Sequence, residues 1–221
     1  MPSEGVKDTL DYYWKSEYGF SKKLQKYVLE WLMTIDTTSA ECKKESLRNA
    51  QDAIVINFNY TDTVERIYGI KNVLHIHGGI PSCCSIPPIM GHGNKSIIES
   101  HRRKAAECQR EFIEWGESIN EAIANYCESL YKNTERIILS NEAFFSSIGD
   151  VDEIICLGLS FGDVDTPYLE RILQEIKPTV KWTVYYHKPE SRDRLKQIFD
   201  MLGICKSYKV NFLPSNDFWD R

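Results

Sequence analysis

The sequence predicts an α/β fold: a parallel sheet flanked by helices, in a single domain over residues 1–221. Three observations predict it. Short apolar runs alternate with helical segments along the chain. The runs at 54–58 and 154–159 are apolar on both faces, as strands buried in a parallel sheet are. Each run stops abruptly in Asn, Asp, Thr, Ser and Gly, and open α/β sheets bind ligands at such strand ends.

Each element has its own signal. Residues 8–34 are aromatic and amphipathic, with Leu24, Tyr27, Val28, Trp31 and Leu32 at helical spacing. The strand at 54–58 puts Asn57 and Asn59 on one side, because side chains alternate with a period of two. A helix at about 62–68 follows. Asp62 with Glu65 three residues later reads as a capping box, and Gly69 suits the residue after the helix. A second strand at 72–77 places His75 and His77 on one face. The stretch 79–96, with Pro81, Pro87, Pro88, Gly91 and Gly93, reads as a long loop, and long ordered loops are usually functional. Phe112, Trp115, Ile119, Ile123, Tyr126 and Leu130 then predict one long helix at about 100–131. After the strand at 154–159, Thr166 as N-cap and Pro167 at the first helical position start a helix ending near Pro178. A strand at 181–187, a helix at 190–202 stopped by Gly203, and a strand at 208–213 complete the alternation.

Composition excludes several classes. The formal charge is -5, from 27 basic and 32 acidic residues, so nucleic acid is not an expected partner. The His-Arg-Arg-Lys run at 101–104 is short enough to be a solvated helix face. No apolar run is long enough for a membrane span, and the first residues lack a secretory pattern. Seven scattered cysteines, one of them (Cys156) inside an apolar run, fit reduced thiols in a cytoplasmic protein. No Cys-x-x-Cys pair is present, and His75 with His77 has no third ligand fixed by spacing, so no metal is expected.

Four constellations carry chemistry. Asn59-Tyr60-Thr61-Asp62 lies at a strand end, where Asn and Asp reach ribose hydroxyls or an amide; a helix cap alone would use Thr61 or Asp62 and leave Asn59 unexplained. His77-Gly78-Gly79 places a histidine beside a backbone that a ligand can approach closely; His77 is equally readable as a structural residue. Gly158-Leu159-Ser160-Phe161-Gly162 matches Gly-x-Ser-x-Gly after a strand, the pattern of a serine-hydrolase elbow. The helix begins too late for that elbow, and the same residues make a turn that admits a phosphate. Gly91-His92-Gly93 reads as a turn or a close-fitting lid.

Taken in order, Phe58-Asn59-Tyr60-Thr61-Asp62-Thr63, His75-Ile76-His77-Gly78, Gly91-His92-Gly93 and Gly158 to Asp165 with Tyr168 resemble the AbiH-type bacteriophage abortive-infection family. The resemblance spans about residues 50–190. That family is similar in turn to the Rossmann-like sirtuin fold, which implies NAD or a related nucleotide as ligand, a bacterial cytoplasmic setting, and a phage or host protein as trigger. It implies catalytic roles for His77 and Asn59, and ligand contacts for Asn57, Thr61, Asp62, Gly78, Gly158, Ser160, Gly162 and Asp163. The chain departs from the family at its start. A strand leading into a Gly-Asn-Gly-Phe-Asp turn is expected there, and residues 1–50 are instead helical and aromatic. The sirtuin zinc ribbon is also absent, which argues against protein deacylation. Three readings stay open: an NAD-cleaving defence domain, a non-catalytic sensor or interaction domain with a possible homo-oligomer, and a serine hydrolase at Ser160.

Overall fold

The computed structural model describes residues 4–220. The chain divides into two compact units, one formed by Met1–Asp36 with His77–Asn133 and the other by Thr37–Ile76 with Thr134–Arg221.

The first unit is helical. Helix α1 (Glu4–Met33) runs for 30 residues without a proline to interrupt its hydrogen bonds. It packs on α5 (Glu114–Ser129), which also packs on α4 (Lys95–Arg110). The single helix predicted at about 100–131 is therefore two. Phe112 adopts a left-handed φ of 58°, and the Ile113 amide reaches back to the Cys108 carbonyl at 2.8 Å. That single residue turns the chain while the apolar spacing carries on through it, so periodicity alone did not show the break. Gly116 permits the tight return, since a Cβ there would sit 2.9 Å from the Cys108 sulfur. At the start of α4, the Asn94 side chain accepts a hydrogen bond from the Ile97 amide, an N-cap.

The second unit holds all five strands among the described residues, together with the short helices α2 (Glu45–Arg48), α6 (Thr134–Ser140) and α7 (Glu142–Ser146). Strands β1 (Ile54–Asn57) and β2 (Asn72–His75) pair in parallel, joined by α3 (Thr63–Tyr68). Strands β3 (Glu153–Leu157), β4 (Lys181–Tyr186) and β5 (Lys209–Pro214) form a second parallel sheet in the order β3-β4-β5. The connections are α8 (Thr166–Glu175) and then α9 (Pro189–Met201) with the short α10 (Ile204–Ser207). The alternation and the parallel pairing agree with the sequence; the single continuous sheet does not. Two small parallel sheets stand in its place, because no strand among the described residues pairs β1 with β3. The strand expected at 72–77 ends at His75, so His77 lies beyond it.

One apolar core serves both sheets of this unit. Trp182, Tyr168, Phe145, Phe199 and Ile204 are fully buried within it, with Ile54, Ile56 and Leu74 from the first sheet and Ile154 and Cys156 from the second packed against them. The register sets this: Ile154, Trp182 and Val210 lie side by side, as do Cys156, Val184 and Phe212. Trp182 meets Phe199 edge-on at 5.5 Å. Gly69 and Gly203 both adopt φ 70° where α3 and α9 end, the conformation that sequence position suggested.

Candidate functional site at the strand ends

The polar turns after β1 and β3 both belong to the second unit, and the structure brings them together. Phe58 and Tyr168 stand edge-on at 6.1 Å. Tyr60 lies close enough to Asp165 to feel its charge. Residues just past β1 therefore meet residues just past β3, at the carboxyl ends of parallel strands.

Asn57 folds the first turn. Its side-chain oxygen accepts the Asn59 amide at 2.9 Å and its amide group donates to the Thr61 carbonyl at 3.4 Å. This is an Asx turn, and it consumes the buried side chain locally. Asn59 is exposed by contrast, while its carbonyl faces His75 Nδ1 at 3.2 Å. Thr61 and Thr63 share a hydroxyl contact at 3.0 Å. Asp62 does not form the predicted capping box. It is the residue before α3 but makes no side-chain cap bond. Its buried carboxylate accepts Thr37 Oγ1 at 2.9 Å and pairs with Arg66 at 3.0 Å. Glu65, the other half of the expected box, turns to His75 Nε2 at 2.6 Å. Two stronger partners, a guanidinium and an imidazole, outcompete the backbone amides.

His75 thus has an acceptor at each ring nitrogen, a backbone carbonyl and a carboxylate. Sequence reasoning passed over Glu65 as a partner because a ten-residue separation carries no motif. The sequence paired His75 with His77 for a metal reading; both His75 nitrogens are already engaged by protein atoms.

The second turn begins at Gly158, with φ 65° and open space where a Cβ would stand. Ser160 and Asp163 are exposed. The residue in a strained left-handed conformation is Phe161, φ 48°, with its ring buried edge-on against Phe199 at 5.5 Å. A nucleophile elbow strains the serine itself and starts its helix at once. Here Ser160 is relaxed and α8 begins at Thr166, so the elbow geometry is not met. The Gly162 amide donates to Asp165 Oδ2 at 3.2 Å, closing the loop. Asp165, not Thr166, occupies the N-cap position of α8, with Pro167 just inside the helix.

Asp165 is the residue the sequence reading missed. It is buried, and its charge bears on two phenols at once. The hydroxyl of Tyr168 is held well above the ordinary tyrosine range, first by burial and then by the Asp165 charge. Tyr60 is raised by the same two causes in the same order. A carboxylate whose charge keeps two nearby phenols protonated also opposes anions. Its only sequence signal was an Asp two residues before a helix-starting proline, which reads as a cap.

His77 and Gly78 belong to the other unit. His77 is buried, and its carbonyl accepts the Ile89 amide at 2.8 Å. Gly78 has φ 73°, and a Cβ there would come within 2.3 Å of the Pro87 carbonyl oxygen. The close backbone approach that the glycine pair suggested is made by the 86–87 segment. Gly91 is explained likewise: a Cβ would overlap the Leu130 carbonyl oxygen, and His92 bridges Tyr131 beside it, with the His92 amide donating to Leu130 at 3.0 Å and its carbonyl accepting Lys132 at 2.9 Å. Residues 91–93 are thus anchored to the end of α5.

The architecture is that of a mixed α/β protein with a polar strand-end site. More narrowly, the chain belongs to the bacteriophage abortive infection AbiH family, which it matches over residues 4–186. No curated protein and no solved structure matches it. No helix among the described residues is long and apolar enough to cross a membrane.

Proposed function

We propose that the protein acts in the bacterial cytoplasm as an anti-phage effector that binds NAD or a related nucleotide at the ends of β1 and β3 and cleaves its N-glycosidic bond. The observation that carries this reading is the buried Asp165 at the start of α8, where Phe58 of the first turn meets Tyr168 edge-on at 6.1 Å and the carboxylate's charge reaches Tyr60 and Tyr168. Cleaving the bond between ribose C1′ and the nicotinamide nitrogen sends the electron pair to the leaving nicotinamide and leaves positive charge on the ribose. A fixed carboxylate stabilises that charge, and water then supplies hydroxide to C1′ and releases a proton. The same negative charge disfavours phosphate near Asp165, so the phosphates belong toward Gly158 and Ser160, where the backbone is open. Asn59, exposed at the end of the first turn, is suited to hold the carboxamide or the water. The likeness of the strand-end blocks to the sirtuin pattern supports the same assignment.

The test is to incubate the protein with NAD and follow nicotinamide and ADP-ribose by chromatography. Wild-type turnover, with Asn59→Ala and Asp165→Asn each lowering it at least about tenfold, is the expected result. His77→Ala separates the catalytic from the structural reading of that residue. Absence of NAD loss at high protein concentration, together with no nucleotide binding by calorimetry, overturns the proposal. Binding without turnover leaves the second reading, a non-catalytic sensor triggered by a phage or host protein.

A further inference from the structure

Helix α1 is apolar on two faces, and only one of them is used. The residues turned inward are Leu10, Trp14, Gln25, Val28, Leu29 and Leu32, and α1 packs on α5. A second stripe is exposed: Tyr13 at 53%, Leu24 at 37%, Tyr27 at 59% and Trp31 at 62%. At 3.6 residues per turn, this stripe is rotated by roughly 110° from the inward face. Leu24, Tyr27 and Trp31 follow the 3-4 spacing of a coiled-coil seam, and Tyr13 falls on the same line two heptads before Tyr27. Scattered exposed apolar residues are ordinary, but Leu24, Tyr27 and Trp31 exposed on successive turns of one face mark a contact surface.

We propose that this seam pairs with the same seam of a second copy of this chain, the two α1 helices running antiparallel. The charges beside the seam choose the partner and the direction. Lys23 and Glu30 are the flanking residues on one side. In an antiparallel pair with Leu24 layered against Tyr27 of the partner copy, Lys23 of each chain meets Glu30 of the other, so two opposite-charge pairs form about the two-fold axis. In a parallel pair the same lysine faces the apolar Val28 and both charges go unmatched. Among the described residues Glu30 pairs with Lys26, an exposed contact of 3.7 Å that is too weak to hold it from a better partner. The size fits as well. An aromatic side chain buries about 150–250 Å² when enclosed. In this register Tyr12 and Tyr13 fall opposite residues past the end of the partner's α1, so the enclosed seam is Leu24, Tyr27 and Trp31, and at their exposures each copy offers on the order of 350 Å². A pair then hides about 700 Å², the size of a weak, reversible contact.

Sedimentation equilibrium on the purified full chain, from about 1 to 200 μM, tests the proposal. A monomer–dimer equilibrium is expected. Trp31→Glu combined with Tyr27→Glu is expected to abolish the dimer, with the far-ultraviolet helix signal retained as evidence of folding. Lys23→Glu alone is expected to weaken it about tenfold through two like-charge contacts, and adding Glu30→Lys to restore it. A chain that stays monomeric to 200 μM overturns the proposal, as does a dimer that survives both glutamates. A Lys23→Glu dimer that Glu30→Lys does not rescue overturns the antiparallel register.

Discussion

Replacing Gly78 by alanine separates two roles that glycine plays in this chain. Gly78 and Gly158 have nearly the same backbone, φ 73° and 65°, so an added Cβ carries the same left-handed penalty at both, about 1–2 kcal/mol. Their surroundings differ. Beside Gly158 nothing lies within 4 Å, whereas at Gly78 the Cβ would stand 2.3 Å from the Pro87 carbonyl oxygen and 2.7 Å from that of Ile86. Those are backbone atoms and cannot rotate away. The 86–89 segment must move, which breaks the Gly79–Ile86 hydrogen bond of 2.9 Å and the His77–Ile89 bond of 2.8 Å. At about 1 kcal/mol for each bond, Gly78→Ala costs about 2 kcal/mol beyond the common penalty. Hydrogen exchange read by mass spectrometry is the assay, because it reports each segment separately. The amides of Gly79 and Ile89 should exchange about thirtyfold faster in Gly78→Ala than the common penalty allows. Gly158→Ala should leave them unchanged. If Gly78→Ala protects residues 79–90 as well as wild type does, the argument from close approach is wrong.

Other perturbations follow from the same geometry. Burial pushes the Cys156 thiol up from 9.0 to about 12, so at pH 8 it should resist iodoacetamide in the folded protein and react only after denaturant is added; mass mapping of labelled peptides reads this. The sign of the linked stability is fixed: the unfolded chain loses this proton first, so the contribution is intact below pH 9 and is lost as pH rises toward 12. Glu65→Gln keeps a hydrogen-bonding group against His75 and should cost less than about 1 kcal/mol in urea unfolding, while Glu65→Ala leaves a buried imidazole nitrogen unsatisfied and should cost about 1–3 kcal/mol. Equal costs for the two would dismiss the Glu65–His75 hydrogen bond as a source of stability. Asp62→Ala strands Thr37 and Arg66 and should destabilise by about 2–3 kcal/mol, with an effect on nucleotide binding no larger than its effect on folding; selective loss of binding would make Asp62 a ligand contact after all.

Much of the fold was legible in the sequence because strands apolar on both faces and their polar ends are local signals. The five strands fall within two residues of their predicted places, and Gly69 and Gly203 end helices as expected. The break at Phe112 was not legible, because a single left-handed residue leaves hydrophobic spacing intact. The split into two sheets was not legible either, since pairing is decided by tertiary placement. The site was read in outline only. Asn57 and Asp62 were expected as ligand contacts, and the structure shows both buried and engaged in internal hydrogen bonds. Asp165 was passed over because Tyr60, one of the phenols its charge acts on, lies more than a hundred residues away in the chain.

The second unit is discontinuous: its residues 37–76 are separated from 134–221 by the whole of a helical segment assigned to the first. During synthesis, β1, α3 and β2 emerge long before the strands and helices that complete their core. At typical translation rates the wait is on the order of ten seconds, far longer than a parallel strand pair needs to form. Through that interval Ile54, Ile56 and Leu74 have no permanent partner. The polar clasps inside this stretch, Asn57 on its own turn, Asp62 on Thr37 and Arg66, and Glu65 on His75, all close within residues 37–76. They are the contacts this segment can make for itself before residue 134 and the rest of its core arrive.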